Sequence, residues 1–365
     1  MVYDYLIVGA GFSGAVFARK VAELNKSVLL IDKRAHIGGN SFDYINKEGL
    51  FVQKYGPHIF HTNSKKVWDF LSKYTEWNNY VHRVLIDLGN KKVYLPINID
   101  TMEHLYDRNF SPKEMQDFLM SKRLDIKTVK NSKEVILSQL GEDLYKLFFE
   151  NYTKKQWGIY PDELEPSVLK RIPVRFNRDT RYFEDKYQGI PKMGFNVLFG
   201  RLLSDENITI KLNTDYKDLI NGVKYKKMIY TGPIDAFFDY KYGKLQYRSL
   251  RFDMKLLDTE YFQSEAVVNF PNHNDYTRIT EFKYLYKQKN KKTIICHEYA
   301  KARGEAFYPI PKQENNTLYM KYKKLAEGLE NVHFLGRLAE YKYINMDKAT
   351  ENALELSNTL LNLKF

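Results

Sequence analysis

Tyr3-Asp-Tyr-Leu-Ile-Val8, followed at once by Gly9-Ala-Gly11-Phe-Ser-Gly14, is the stretch that decides the fold. A strand runs into a Gly-x-Gly-x-x-Gly turn, and an apolar helix comes next with Ala15, Ala18, Val21 and Ala22 on its inner face. The first glycine allows a tight turn, the second lets backbone approach a pyrophosphate, and the third lets helix and strand pack closely. The helix N-terminus then offers unpaired amides and a partial positive charge to phosphate. A second strand, Ser27-Val-Leu-Leu-Ile31, ends in Asp32, whose carboxylate can accept hydrogen bonds from ribose hydroxyls. Glycine patterns alone often serve only turns. Here strands, helix and acid all stand where dinucleotide binding needs them.

The residues after Asp32 point to FAD rather than NAD. Lys33-Arg34 and then His36-Ile-Gly38-Gly39-Asn40 extend the nucleotide site with basic, glycine-rich chain. In this the segment resembles large FAD-dependent enzymes of the amine-oxidase type.

The chain of 365 residues can bury a large core in two or three parts. With 44% hydrophobic and 28% charged residues it reads as globular and soluble. The formal net charge of +12 admits nucleic acid, a membrane surface or anionic small molecules. The basic residues form no long block or obvious basic helix, so anionic ligands are favoured and nucleic acid is not expected. A single cysteine, Cys296, excludes an internal disulfide framework and fits a reducing compartment. The first apolar run, Tyr5 to Val8, is too short for a signal peptide or a membrane span, and no later run is long enough to span. A cytoplasmic protein is expected.

The pattern changes along the chain. Residues 102–158 read as mostly helical, with Ser132–Leu140 and Glu142–Asn151 as the best candidates and Leu144, Leu147 and Phe148 as an apolar stripe. Residues 171–300 carry short alternating runs, such as Ile172–Phe176 and Ala266–Phe270, that suggest an antiparallel sheet. Val332–Leu335 reads as a strand, and Met346, Ala349, Ala353, Leu356 and Leu360 as one face of a final helix. The expected fold is α/β. A discontinuous Rossmann-like FAD domain (1–82, 192–246, 304–365) carries an inserted helical subdomain (100–168) and an antiparallel sheet subdomain (83–99, 169–191, 247–303).

Several longer segments are more specific. They are Lys54-Tyr-Gly-Pro-His58-Ile-Phe-His61-Thr, Asn151-Tyr152-Thr-Lys-Lys-Gln-Trp157-Gly, Lys170-Arg171-Ile-Pro-Val-Arg-Phe176 and Tyr182-Phe-Glu-Asp-Lys-Tyr-Gln-Gly-Ile-Pro191. Tyr230-Thr-Gly-Pro-Ile-Asp235, Tyr276-Thr-Arg278 and Gly336-Arg337-Leu-Ala-Glu-Tyr-Lys-Tyr343 complete the set. Through them the chain resembles the prokaryotic UDP-galactopyranose mutase family along almost its whole length.

The resemblance implies interconversion of UDP-galactopyranose and UDP-galactofuranose with no net redox change, for use in cell-surface glycans. Reduced FAD would attack the anomeric carbon through N5, UDP would leave, and the sugar would reopen and reclose before UDP returns. The cofactor being the nucleophile, no Ser–His–Asp set is needed, and His58 and His61 are not expected to hold a metal. By motif match, Arg171 and Arg278 would bind the diphosphate, a task suited to a permanently charged planar fork. His61 would stand at the flavin near the sugar, with His58 in support.

The resemblance further assigns substrate contacts to Phe148, Tyr152, Thr153, Trp157, Tyr182, Asn269, Tyr308, Tyr343 and His82. Phe148 and Tyr152 would share a helix face and grip uracil. Cofactor contacts would come from Gly9, Gly11, Phe12, Ser13, Gly14, Asp32, Lys33, Arg34, Gly39, Asn40, Tyr216, Arg248, Arg337 and Met346. A reductant such as NAD(P)H and a homodimer belong to the same implication.

The chain departs from the family at Asn345, where Asp is common, and at His82-Arg83, where Asn and a small polar residue are. Asn345 is expected to cap the last helix. The charged, proline-flanked segment between Pro161 and Arg171 reads as a lid. Two other readings share the cradle: a flavin oxidoreductase of the amine-oxidase type, and a nucleotide-sugar-binding protein that keeps FAD only for structure.

Overall fold

A computed structural model describes residues 2–220 and 222–362. The chain divides into two compact units. One comprises Met1–Tyr80, Asp185–Gln246 and Glu314–Phe365; the other comprises Val81–Glu184 and Tyr247–Gln313. The helical segment and the largely antiparallel sheet therefore belong to one unit. Residues 185–191 fall in the first unit and 304–313 in the second.

In the first unit five parallel strands lie in the order Val332–Phe334, Lys224–Tyr230, Val2–Val8, Val28–Ile31, Ile208–Lys211. The two central strands are apolar where both faces are covered; Leu6, Ile7, Leu29 and Leu30 are fully buried, whereas Lys224–Tyr230 and Ile208–Lys211 carry polar, partly exposed residues. The glycine turn leads into the helix Phe12–Ala22, against which the last helix, Met346–Leu361, packs. The buried stripe of that last helix is Thr350, Ala353, Leu354, Ser357 and Leu361, one step round from the expected face.

In the second unit seven strands run in the order Tyr308–Pro309, Tyr247–Leu257, Thr293–Lys301, Arg278–Glu281, Val267–Asn269, Val84–Asp87, Lys92–Leu95. All pairs are antiparallel except Val267–Asn269 with Val84–Asp87. The helices Ile99–Tyr106, Pro112–Lys122, Ser132–Leu144 and Asn151–Trp157 supply most of a core that includes Met102, Met115, Ile136, Leu140, Phe148 and Trp157.

Ser132–Leu144 is kinked at Gly141, and residues Tyr145–Glu150 form a π-helical turn before Asn151–Trp157. Such turns are frequent at functional sites.

Two expectations need correction. Ile172–Phe176 is not a strand: Pro173 has no N–H to pair, and the segment touches the rest through single bonds such as Arg175 N–H to Ile97 O (2.9 Å). The segment before Arg171 is not a loose lid. It contains the short helix Ser167–Lys170, and Leu164, Val168 and Leu169 are buried in the helical core. Ser132 fastens it through N–H to Leu164 O (3.0 Å) and Oγ to Glu165 O (2.5 Å). No helix among the described residues is long and apolar enough to cross a membrane.

Candidate active site

The cradle of the first unit is built from backbone. Gly9 has φ +106°, and a Cβ there would lie 2.0 Å from Thr231 Oγ1; a Cβ at Gly14 would lie 1.9 Å from Gly9 O. Only glycine fits these two positions. Gly11 starts the helix without a capping side chain, which leaves the first-turn amides for a ligand. The second glycine run folds onto the first: Gly38 N–H donates to Ala10 O (2.9 Å), and a Cβ at Gly39 would lie 3.0 Å from Gly11 Cα. Asp32 is buried, its Oδ2 accepting from Ala10 N–H (2.8 Å) and its Oδ1 from Arg34 N–H (2.8 Å). Arg34 lies over the Tyr55 ring (4.3 Å) and donates from Nη2 to Asn40 Oδ1 (2.9 Å).

A bare glycine-lined turn, uncapped amides and an acid at the second strand end fit a dinucleotide. Lys33 stands next to that acid. Tyr216 lies just past the loop whose Asn213 and Thr214 amides bond Arg34 O and Asp32 O, its ring stacked on Phe237 (5.7 Å). Phe12 and Ser13 are both buried; the Phe12 ring is enclosed by Phe60, Phe195 and Phe199, so only its backbone is placed to meet phosphate.

His61 is held by a partner the sequence did not reveal. Its Nδ1 is 2.9 Å from Asp185 Oδ2, and Asn63 Nδ2 donates to Asp185 Oδ1 (3.1 Å). Asn345 occupies the N-cap position of the last helix but its side chain does not cap; Nδ2 stands 3.5 Å from His61 Nε2 instead. Met346 opens that helix. Arg337 donates from Nε and Nη2 to Ile344 O (3.1 and 2.6 Å) and lies over the exposed Tyr343 ring, bracing the helix entrance. His58 closes its own turn, with Nδ1 3.0 Å from Gly56 O and its amide on Gln53 Oε1 (2.6 Å).

The second unit gathers side chains from distant stretches. Strand register sets Asn269 opposite Arg278 and Arg278 opposite Glu298. Paired residues share a sheet face, so these three form one polar row. Arg278 Nη2 is 3.2 Å from Glu298 Oε1. Burial pushes the Glu298 carboxyl up, and the Arg278 charge opposes that. Asn269 is buried, and its Oδ1 has no hydrogen-bond partner among the described residues. An orphaned buried acceptor beside a cation is a site made for something else to fill.

The helix Asn151–Trp157 packs on the strand Thr293–Lys301. Burial raises the Tyr152 hydroxyl to about 12, with Arg278 and Arg171 drawing it down and Glu298 and Tyr182 pushing it up. Tyr152, both arginines, Tyr182 and Glu298 thus act on one locus.

Lys155, on the same helix, sends Nζ to Phe270 O and to the carbonyls of His273 (3.2 Å), Asn274 (3.2 Å) and Tyr276 (3.1 Å). It thereby locks the loop that delivers Arg278. Burial lowers its pKa to about 8.

Other expected contacts sit deeper. Phe148 is 2% exposed within the helical core, and Thr153 and Trp157 are also buried; Trp157 lies 6.3 Å from the Tyr308 ring. Arg248, expected at the cofactor, lies in the second unit. Its Nε and Nη2 donate to Gln156 O (2.9 Å) and Lys155 O (3.1 Å), a clamp on the end of the Tyr152 helix.

His82 is buried against the rings of Tyr182 (5.5 Å) and Phe183 (5.6 Å), and its carbonyl accepts from Tyr182 N–H (2.7 Å). Buried Arg175, missed in the sequence, donates to Asp179 O (3.1 Å) and Arg181 O and forms an ion pair with Glu184 Oε1 (2.8 Å), and so fixes the irregular stretch that carries Tyr182.

A Rossmann-type nucleotide-binding unit joined to a sheet-and-helix unit with a cationic, tyrosine-lined locus defines a nucleotide-dependent enzyme. A family model described as UDP-galactopyranose mutase matches residues 147–343, and one described as an NAD(P)-binding Rossmann-like domain matches residues 7–74. The chain is 40% identical to a probable UDP-galactopyranose mutase of Klebsiella pneumoniae, over 98% of this chain and 94% of that one. It is 39% identical to a dTDP-fucopyranose mutase of Escherichia coli, over 96% of each. A crystal structure of reduced UDP-galactopyranose mutase matches its fold with a TM-score of 0.80 at 17% identity, covering 100% of this chain and 96% of that one. The chain belongs to the UDP-galactopyranose mutase family and is an isomerase.

Proposed function

We propose that the protein interconverts UDP-galactopyranose and UDP-galactofuranose with FAD held in the reduced state. The observation that carries this reading is the row Asn269, Arg278, Glu298 in the sheet whose strand Thr293–Lys301 receives the Tyr152 helix. Here a fixed cation and an unfilled buried acceptor meet tyrosine hydroxyls, as a nucleoside diphosphate requires.

Bound reduced FAD supplies a nucleophile, N5, for the anomeric carbon. The chain does the rest. Arg278 and Arg171 neutralise the departing diphosphate, Glu298 aims Arg278, and the hydroxyls of Tyr152, Tyr182 and Tyr308 donate to phosphate oxygens. The uncapped amides after Gly11 take the FAD pyrophosphate, and Asp32 with Lys33 and Arg34 takes the adenosine end. Asp185 orients His61 at the flavin. The flavin would be kept reduced by a donor such as NAD(P)H. The protein would work in the cytoplasm, supplying galactofuranose to cell-surface glycans.

The test is turnover of UDP-galactofuranose by oxidised and dithionite-reduced protein, with dTDP-fucose run in parallel. Activity confined to reduced protein, without stoichiometric use of reductant, supports the reading. Equal rates in both redox states refute it, and turnover of dTDP-fucose alone moves the substrate to the thymidine-linked sugar.

A further inference from the structure

We propose that one end of the second unit's sheet docks on anionic lipid bilayers. The paired strands Tyr247–Leu257 and Thr293–Lys301 meet there at Leu257 and Thr293. Two loops emerge side by side. One, residues 258–266, carries Tyr261 (43% exposed) and Phe262 (51% exposed). The other, Lys287-Gln-Lys-Asn-Lys-Lys292, puts four lysines in six residues, a short basic cluster that no helix or long block announces.

The two loops are bolted together. Lys283 is 2% exposed, and its Nζ donates to Glu260 O in the first loop and to Asn290 O and Lys292 O (3.3 Å) in the second. The same ammonium lies over the Tyr261 ring (4.4 Å), which also meets Tyr284 (4.9 Å). The fully buried Glu281 carboxylate accepts from Phe262 N–H (3.1 Å), Gln263 N–H (3.0 Å) and Thr293 Oγ1 (2.6 Å). Phe262 is therefore an exposed ring on a pinned peptide. Its exposure is built into the local bonding, not the accident of a loose tip.

A folded protein seldom holds large apolar rings in water beside a basic cluster without a use for them. Lys255 and Leu256, both exposed, stand on opposite faces of the strand end from which the first loop leaves. Five lysines (255, 287, 289, 291, 292) outnumber the three acids of the first loop, Asp258, Glu260 and Glu265, so the cluster is net positive. Phosphate headgroups complement the lysines, and Phe262 with Leu256 and the Tyr261 edge can enter the acyl boundary. Nucleic acid would answer the charge but leave the protruding phenyl and isobutyl groups without apolar cover. One such patch gives weak, reversible, salt-sensitive attachment.

The test is co-sedimentation of the full chain with phosphatidylglycerol-containing vesicles and with pure phosphatidylcholine vesicles. Binding should occur only to the anionic vesicles and fall steeply with salt. Lys289→Glu with Lys291→Glu should weaken it at least about tenfold. Phe262→Ser should weaken it at constant charge, and all variants should keep wild-type melting and turnover. Failure to bind anionic vesicles, or equal binding by wild type and variants, overturns the proposal. So does loss of self-association in Phe262→Ser without loss of vesicle binding, since the ring would then serve a second copy of the chain.

Discussion

The first unit prepares its ligand site from main chain; the second prepares its site from side chains. In the cradle, the decisive atoms are amides after Gly11 and the missing Cβ atoms at Gly9 and Gly14, all within a few residues of one another. In the second unit, the cation, carboxylate, amide and phenol come from Arg278, Glu298, Asn269 and Tyr152, brought together by strand register and helix packing. A backbone site tolerates almost no change of shape. A side-chain site tolerates shape changes and fails by loss of individual groups. The two should therefore break differently.

The largest effect is expected at Gly14→Val. Its Cβ would fall 1.9 Å from Gly9 O, which is backbone and cannot yield without moving the turn. A cost of about 3 kcal/mol or more is expected, with flavin absent from the purified protein. Normal flavin absorbance in that variant would show that the turn is not the cradle. Next comes Arg278→Ala, which should lose about 2–5 kcal/mol, at least about thirtyfold in turnover, while flavin content stays unchanged. A loss of flavin with turnover per bound flavin preserved would erase the division between the two units.

Asn269→Leu sharpens the contrast at smaller scale. The orphaned Oδ1 is a standing cost in the unliganded protein, so an apolar replacement should leave melting unchanged or raise stability by about 1 kcal/mol. UDP affinity should fall, because the ligand would lose its partner. Calorimetric titration with UDP together with thermal melting checks both signs at once. Unchanged UDP affinity would remove Asn269 from the site.

Legibility in the sequence divides along the same line. The cradle, Asp32 and three of the parallel strands (Val2–Val8, Val28–Ile31, Val332–Phe334) were legible because a local signal encodes a local structure. So were the helical stretch and the second unit's largely antiparallel sheet. Ile208–Lys211 and Lys224–Tyr230, inside a stretch read as antiparallel, pair parallel in the first unit and were not legible. Nor were the partners. Asp185 lies far along the chain from His61, Glu298 meets Arg278 only through register, and Lys155 and Arg175 look like any other cations until the carbonyls around them are seen. Motif matching named Arg248 and Phe12 but not their work: the guanidinium clamps helix carbonyls and the ring packs on three others. The proline-flanked segment before Arg171 read as free because its acids are polar, whereas Leu164, Val168 and Leu169 decide its place.

The smallest predicted effect concerns Lys155, a side chain that performs a backbone-like task in the second unit. Its ammonium serves four carbonyls of the loop preceding Arg278, and burial holds its pKa near 8, below the ordinary lysine value of 10.5; Asp275 only partly offsets that. Proton linkage sets the sign. Between these two values the unfolded chain binds more protons at this residue than the folded chain does. This group's cost to folding is therefore full below about pH 8 and is relieved as pH rises. The site should respond in the opposite sense. A neutral amine has two N–H donors in place of three, so the loop loses about one hydrogen bond, on the order of 1 kcal/mol or fivefold in turnover. Turnover should thus fall above about pH 8 while this residue's contribution to stability does not. Lys155→Met removes the titration, keeps most of the volume, and should give a lower turnover without that alkaline limb. Melting curves and turnover measured across the same pH series in both proteins decide it. An identical alkaline limb in Lys155→Met would mean that another group sets the pH dependence and that Lys155 only fills space.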